Sequence, residues 1–205
     1  MKPIILDNIL PQVFQDKLLK TFTHPDFDWH YNSGISLPDS QKEELNSYMS
    51  NDNNIAESDA FVHRLLINHD EYDYYKSNYY EVVHPIFYFI QEKINLKIKS
   101  VLRARAVFYY KQPELKGKYN APHVDQFTKH LSAIVFLSDS DGSTILFEDK
   151  YERGVSNTSK KNIEYAIEAK KGRILIFDGL QFHTGLIPTK SNKIILNINI
   201  DGEIS

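Results

Sequence analysis

The chain has no cysteine in its 205 residues. That absence excludes disulfides, thiolate zinc sites, iron–sulfur clusters and cysteine nucleophiles together, so any metal site must be built from His, Asp, Glu and water. No apolar run approaches the roughly 20 residues that a membrane span needs. The opening Met1-Lys2-Pro3-Ile4-Ile5-Leu6-Asp7 has too short an apolar run for a signal peptide. The expected compartment is therefore reducing and cytoplasmic. There is little net charge either, -3 in all, so no strong field draws the whole molecule to nucleic acid or anionic lipid. The chain carries no internal repeat and no linker. It reads as one domain over residues 1–205, with a helical N-terminal part over about 1–97 and a β core over about 98–205.

Pro11 to Thr21 places Val13, Phe14, Leu18 and Leu19 at helical spacing and predicts an amphipathic helix. A longer helix is expected from about Glu71 to Asn95, with Tyr75, Tyr79, Val82, Val83, Ile86, Phe87 and Ile90 along its apolar stripe and Pro85 as a kink or break. The polar stretch Asp39 to Asp59 reads as a mobile loop. The second half changes character. Short apolar or alternating runs (Ser100–Tyr110, Leu131–Leu137, Ser143–Glu148, Ile163–Ile167, Arg173–Phe177, Lys193–Ile200) are separated by turn signals such as Asp141-Gly142, Lys171-Gly172 and Asp178-Gly179. Strands at this spacing without intervening helices predict an antiparallel sandwich or barrel beneath a helical N-terminal layer.

Two segments carry metal chemistry. His123-Val124-Asp125 puts a His and an Asp on the same side of an extended chain, because residues i and i+2 point together. Alone, the pair is as consistent with a surface His beside a solvated Asp. The second segment is Gly172-Arg173-Ile174-Leu175-Ile176-Phe177-Asp178, then His183, then a strand opened by Lys193. On that strand Lys193, Ile195, Asn197 and Asn199 share one face, and Ile194, Leu196, Ile198 and Ile200 the other. The polar face either meets solvent or lines a cavity inside the sandwich, and strand parity does not choose between the two.

H-x-D, a distant His after a G-R-hydrophobic-F-D strand, and a basic residue ten positions beyond that His together resemble the prolyl 4-hydroxylase-like branch of the iron(II)/2-oxoglutarate dioxygenases. The resemblance runs from near Val101 to the C-terminus, and the N-terminal half resembles small phage-type members only loosely. It implies a double-stranded β-helix, or jelly roll, of cupin-like type. It implies iron(II) held by His123, Asp125 and His183, a facial arrangement that leaves three positions open. Those positions would take 2-oxoglutarate and dioxygen, with ascorbate as an activator. Because the metal performs the oxidation, no side-chain general base is required. Lys193 would pair with the distal carboxylate of 2-oxoglutarate, and Tyr110 would touch the cosubstrate, although a shift of one residue would swap it with Tyr109. The implied substrate is a peptide or a free amino-acid-like small molecule.

The chain also departs from that pattern. Phe136 stands where some relatives carry a Tyr that bonds the distal carboxylate. The loop Lys111–Tyr119 is longer than usual, which fits a lid or a plain solvated loop. The nucleic-acid demethylase branch carries a further Arg on the last strand, where this chain has Asn197, Ile198, Asn199 and Ile200. With the acidic net charge, that argues against a nucleic-acid substrate, and Arg103 and Arg105 are too few for a binding face. His24, His30, His63, His69, His84 and His130 show no ligand spacing to one another. Competing readings are a cupin-type metalloenzyme, which would use three His and a carboxylate, and a non-catalytic metal-binding jelly-roll module.

Overall fold

The computed structural model describes residues 1–34, 50, 52–68, 73–153 and 161–205. Two antiparallel sheets face each other. The larger contains β1 (Ile4–Leu6), β2 (His30–Asn32), β3 (Ala60–Asn68), β4 (Tyr74–Lys76), β5 (Leu96–Tyr109), β6 (Leu131–Phe136), β9 (Ile174–Asp178) and β11 (Lys193–Ile204). They run in the order β1-β9-β6-β11-β5-β3-β2, with β4 on β3. The smaller sheet is β10 (Gln181–Gly185), β7 (Ser140–Lys150) and β8 (Ile163–Ala169), in that order. The helices are α1 (Gln12–Phe22), α2 (Tyr80–Val83) and α3 (Ile86–Ile94). This is the expected jelly-roll sandwich with a helical layer. The N-terminal part also supplies β1 to β4, so it extends the large sheet as well as covering it. Among the described residues, no helix is long and apolar enough to cross a membrane.

The inward–outward alternation of β11 organises both cores. Ile194, Leu196, Ile198 and Ile200 pack with Leu18 and Phe22 of α1 and with Ile86, Phe87 and Ile90 of α3. The opposite face enters the space between the sheets, where Ile195 joins Val107, Ile134, Phe136, Leu146, Leu175 and Phe177. Burying these aliphatic side chains contributes about 1.5–3 kcal/mol each. The polar residues of β11 are therefore enclosed: Lys193, Asn197 and Asn199 are all buried.

Three expectations need correction. The long helix from about Glu71 to Asn95 does not form. Residues 71–72 lie outside the described ones, and Tyr74–Lys76 is instead a strand registered on β3. Ser77 donates its amide to Leu65, and its hydroxyl oxygen accepts the amide of Tyr79, which starts a new segment. Pro85 then separates α2 from α3, because it lacks the amide that would continue the first helix. Asn95 ends α3 in the left-handed region, at φ 51. Residues 39–49 and 51 of the polar Asp39–Asp59 stretch lie outside the described ones, but the part from 52 to 59 is pinned rather than mobile. Ile55 bridges Tyr119, and the Ser58 amide donates to Asn120 Oδ1 at 2.8 Å. His183 does follow the Gly172–Asp178 strand, but it lies inside a further strand, β10, that the patterning did not mark. Gly172, at φ +80, makes the Lys171-Gly172 turn that feeds β9.

The connection from β10 to β11 sets the distance between His183 and Lys193, and Asp141 holds it. One Asp141 oxygen accepts the Thr189 amide and hydroxyl at 3.0 and 2.8 Å, and both oxygens accept the Lys190 amide at 3.1 Å. Burial works against ionisation there. The Thr189 hydroxyl and the amides of Lys190, Thr189 and Ser191 outweigh it and hold the carboxyl down to about 2. A depressed carboxylate stabilises the fold fully above its ordinary 3.8 and loses that contribution as pH falls toward about 2. Asp141→Ala should cost about 1–3 kcal/mol in urea unfolding near neutral pH. The gap from the parent protein should close between about pH 4 and pH 2. A gap that does not change with pH would contradict this anchor.

Candidate active site

His123 and His183 are 60 residues apart in sequence and form an isolated antiparallel bridge. The amide of each donates to the carbonyl of the other, at 3.0 and 2.9 Å. The pairing holds the H-x-D segment against β10, and the two rings lie with centroids 4.7 Å apart. Asp125 Oδ2 is 3.7 Å from His183 Nε2. One donor atom from each of His123, Asp125 and His183 lies within 4.8 Å of the others.

The donor chemistry fits a metal ion. Nδ1 of His123 faces the Ala121 carbonyl at 3.0 Å, and Nδ1 of His183 faces the Gln181 carbonyl at 3.2 Å. Each contact favours the tautomer that protonates Nδ1 and leaves Nε2 as a lone-pair donor. Nε2 of His183 is buried without a hydrogen-bond partner, a costly state for a polar atom unless something binds it. Burial, with His183 alongside, pushes His123 down to about 3, and burial likewise lowers His183. Both imidazoles are therefore neutral and able to donate.

Asp125 is the ionised member, with its side chain 1% exposed. Burial opposes that charge, but the Arg103 and Arg105 guanidiniums outweigh it and hold the carboxyl well below its usual range. Arg103 donates to Oδ1 at 2.6 Å. Asn197 and Asn199 donate to Oδ2 at 3.0 and 2.9 Å. Arg103 also donates from Nε to Asn199 Oδ1 at 2.9 Å. The Asn face of β11 was expected either to meet solvent or to line a cavity, and it lines the site.

A narrow cavity leads inward from the two His residues. Its lining includes Val107, Tyr109, Thr144, Thr184, Ile195 and Lys193. Lys193 is 2% exposed, and burial pushes it down to about 7. No carboxylate or hydrogen-bond acceptor pairs with it among the described residues; its Nζ faces the rings of Tyr109 and Phe136 at 5.4 and 6.0 Å. Gly142 makes room for the stem, since a Cβ there would sit 2.9 Å from the Leu186 carbonyl and 3.2 Å from Lys193 Cδ. The Tyr110 expectation is corrected by strand parity: Tyr110 faces Asp59, 3.4 Å from its hydroxyl, while Tyr109 lines the cavity. Burial pushes Tyr109 up to about 12, so its hydroxyl stays neutral.

Sequence reasoning missed the Arg103–Asp125 pair. The signal available was that Arg103 and Arg105 alternate on the β5 face that carries Val107 and Tyr109. His130 is buried against Ser132, 3.3 Å from its hydroxyl. The Lys111–Tyr119 loop is tied at both ends, by Gln112 donating to the Pro188 carbonyl and by bridges from Tyr119 to Ile55 and Leu186. A second grouping, Asp28, His30 and His63, is a poor metal site, because both nitrogens of His63 are engaged by the Asp28 carbonyl and Ser77.

No protein-family model matches the chain, and no curated protein matches it by sequence. Solved structures do match. An oxidoreductase of the 2OG-Fe(II) oxygenase family from Burkholderia pseudomallei superposes with a TM-score of 0.61 at 10% identity, covering 97% of this chain and 84% of that one. A Trichoplax adhaerens prolyl hydroxylase, solved with a hypoxia inducible factor peptide fragment, gives 0.57 at 14%, with 97% and 82% covered. The viral collagen prolyl hydroxylase of Paramecium Bursaria Chlorella virus-1, as its 2OG complex, gives 0.53 at 15%, with 98% and 96% covered. The chain has the fold of the 2OG-Fe(II) oxygenases.

His183→Ala should abolish stoichiometric manganese(II) binding in an electron paramagnetic resonance titration. Asn197→Ala together with Asn199→Ala should weaken it roughly 10- to 100-fold through loss of the Asp125 orientation. Unchanged affinity in the double variant would show that Asp125 needs no such support.

Proposed function

We propose that this protein is an iron(II)- and 2-oxoglutarate-dependent dioxygenase that hydroxylates a peptidyl or free amino-acid-like substrate. One observation carries the reading. Two neutral imidazoles come together with a buried carboxylate, and the cavity the imidazoles line is also lined by a buried lysine with no counter-ion among the described residues. Metal donors and a buried cation on one cavity suit a metal-chelating dicarboxylate. His123, Asp125 and His183 would hold the iron, which when bound supplies the activation of dioxygen and of the cosubstrate's keto acid. Lys193 would take the distal carboxylate, and the neutral hydroxyl of Tyr109 would add a donor that Phe136 lacks. Val107, Ile134 and Ile195 would exclude water from the bound chain. The Trichoplax neighbour's peptide and the viral neighbour's 2OG support the substrate and cosubstrate classes by likeness of fold. A cupin-type site is disfavoured, because among the described residues no fourth His or acid joins the group.

Purified protein with iron(II), ascorbate and 2-oxoglutarate should form succinate at a low uncoupled rate, read by mass spectrometry. Absence of 2-oxoglutarate binding to the iron(II) protein would sink the proposal.

Lys193→Met should weaken 2-oxoglutarate binding roughly ten- to hundredfold, through loss of a charge-assisted bond worth about 1.5–3 kcal/mol, with metal retention unchanged. The ammonium form is the binding form, and its pKa is near 7 before the ligand arrives. Affinity should therefore be full below about pH 7 and fall up to about tenfold per unit above it. The absorption band of the anaerobic iron(II)–2-oxoglutarate complex measures both effects. A flat pH profile would remove Lys193 from the role.

A further inference from the structure

We propose that the groove beside β2, β3 and β5 binds the oxyanion of the prime substrate, a small molecule bearing a carboxylate or a phosphate, through Arg105 and Arg64. The inference rests on the oxygenase reading for what becomes of that molecule, and on the groove's own residues for its charge.

The groove encloses about 910 Å³, within the range of small-molecule sites. Its lining carries three guanidiniums, Arg64, Arg103 and Arg105, and the single acid among the described lining residues is Asp73. Arg64 and Arg105 are register partners, directly opposite each other on β3 and β5. Like charges so placed destabilise a sheet unless something neutralises them. Arg103 is already committed to Asp125 and Asn199. Arg105 is not. Its side chain is 19% exposed, and its terminal nitrogen lies 3.6 Å from Asp125 Oδ1, beyond a hydrogen bond. Its Nε is buried without a partner. Arg64 is exposed and makes no ion pair or hydrogen bond among the described residues. Two opposed guanidiniums with spare donors match the planar or tetrahedral geometry of an oxyanion. A neutral peptide backbone would meet the spare guanidinium donors with no charge of its own.

Arg105 also places that anion relative to the chemistry. It lines the groove and the inner cavity alike, beside His123 and His183. An oxyanion held by it in the groove would therefore share one guanidinium with the cavity that His123, His183 and Lys193 line. The site would then read two different anions, the cosubstrate through Lys193 and the substrate through Arg105 and Arg64.

The test is calorimetric titration of the metal-free protein and of its manganese(II) form carrying N-oxalylglycine, an unreactive 2-oxoglutarate analogue. The probes are the proteinogenic L-amino acids against their α-carboxamides, and O-phosphoserine and glycerol 3-phosphate against serine and glycerol. At least one anion should bind about tenfold or more tightly than its neutral counterpart, and the two arms tell carboxylate from phosphate. Arg64→Met and Arg105→Met should each remove about tenfold of that preference, and Arg105→Lys, which keeps the charge without the fork, should restore part of it. Arg64 does not line the inner cavity, so Arg64→Met should leave N-oxalylglycine affinity intact. Equal binding of anions and neutral counterparts, binding of no probe, or an unchanged preference in the Arg64→Met/Arg105→Met double variant would each overturn the proposal. Failure of the manganese form to take N-oxalylglycine would instead count against the oxygenase reading, because the anion preference is read in the metal-free protein as well.

Discussion

A carboxylate buried between two sheets is the constraint that the rest of this molecule answers to. Asp125 keeps its charge with almost no solvent contact, and an uncompensated charge in that position would be intolerable. Compensation comes from strands that are neighbours in the sheet. Arg103 arrives from β5 and the two asparagines from β11, and Ser132 of β6 lies 3.5 Å away. These are the three central strands of the large sheet, hydrogen-bonded side by side. Register and charge satisfaction are thus one condition: a one-residue slip of β11 would turn both asparagines into the aliphatic core and bring Ile198 toward the carboxylate.

The same alternation divides the labour of β11. Its outward face ties the helical layer to the sandwich through aliphatic packing, and its inward face carries buried Lys193 and the two asparagines that bond Asp125. His183 and Lys193 are consequently mounted on strands, while His123 and Asp125 lie on a segment pinned to β10 by an isolated bridge, and the β10–β11 connection is fixed by Asp141. A site built on packed strands holds its geometry more closely than one built on loops. His183 Nε2 and Arg105 Nε are buried without a hydrogen bond, and both residues line the inner cavity together with Lys193. Asp125 is satisfied by its neighbours in the sheet; these cavity-lining donors are not.

The helical layer shows where local signals compete. The apolar stripe from Tyr75 to Ile90 has a helical period, yet Tyr74–Lys76 pairs with β3 instead. Edge-strand hydrogen bonds there satisfy the backbone as well as a helix would, and Pro85 prevents one continuous helix from forming. Periodicity measures which residues want burial; it does not say which backbone partners are within reach.

The sequence by itself determined the β-rich second half, its strand limits to within a few residues, and the two-faced character of β11. These follow from period-two patterning and turn residues, which act over a few positions. The H-x-D segment, the later His and the basic residue beyond it were legible as a set of types at a spacing. Only the tertiary structure decided that Tyr109 and not Tyr110 faces the cavity, because parity at the end of a strand depends on where its pairing stops. Only the fold could place Arg103 on Asp125 and set Arg64 opposite Arg105. Those partners are 22 and 41 residues apart in sequence, respectively. Their meeting is fixed by strand order and register, a property of the assembled sheet that no local pattern encodes.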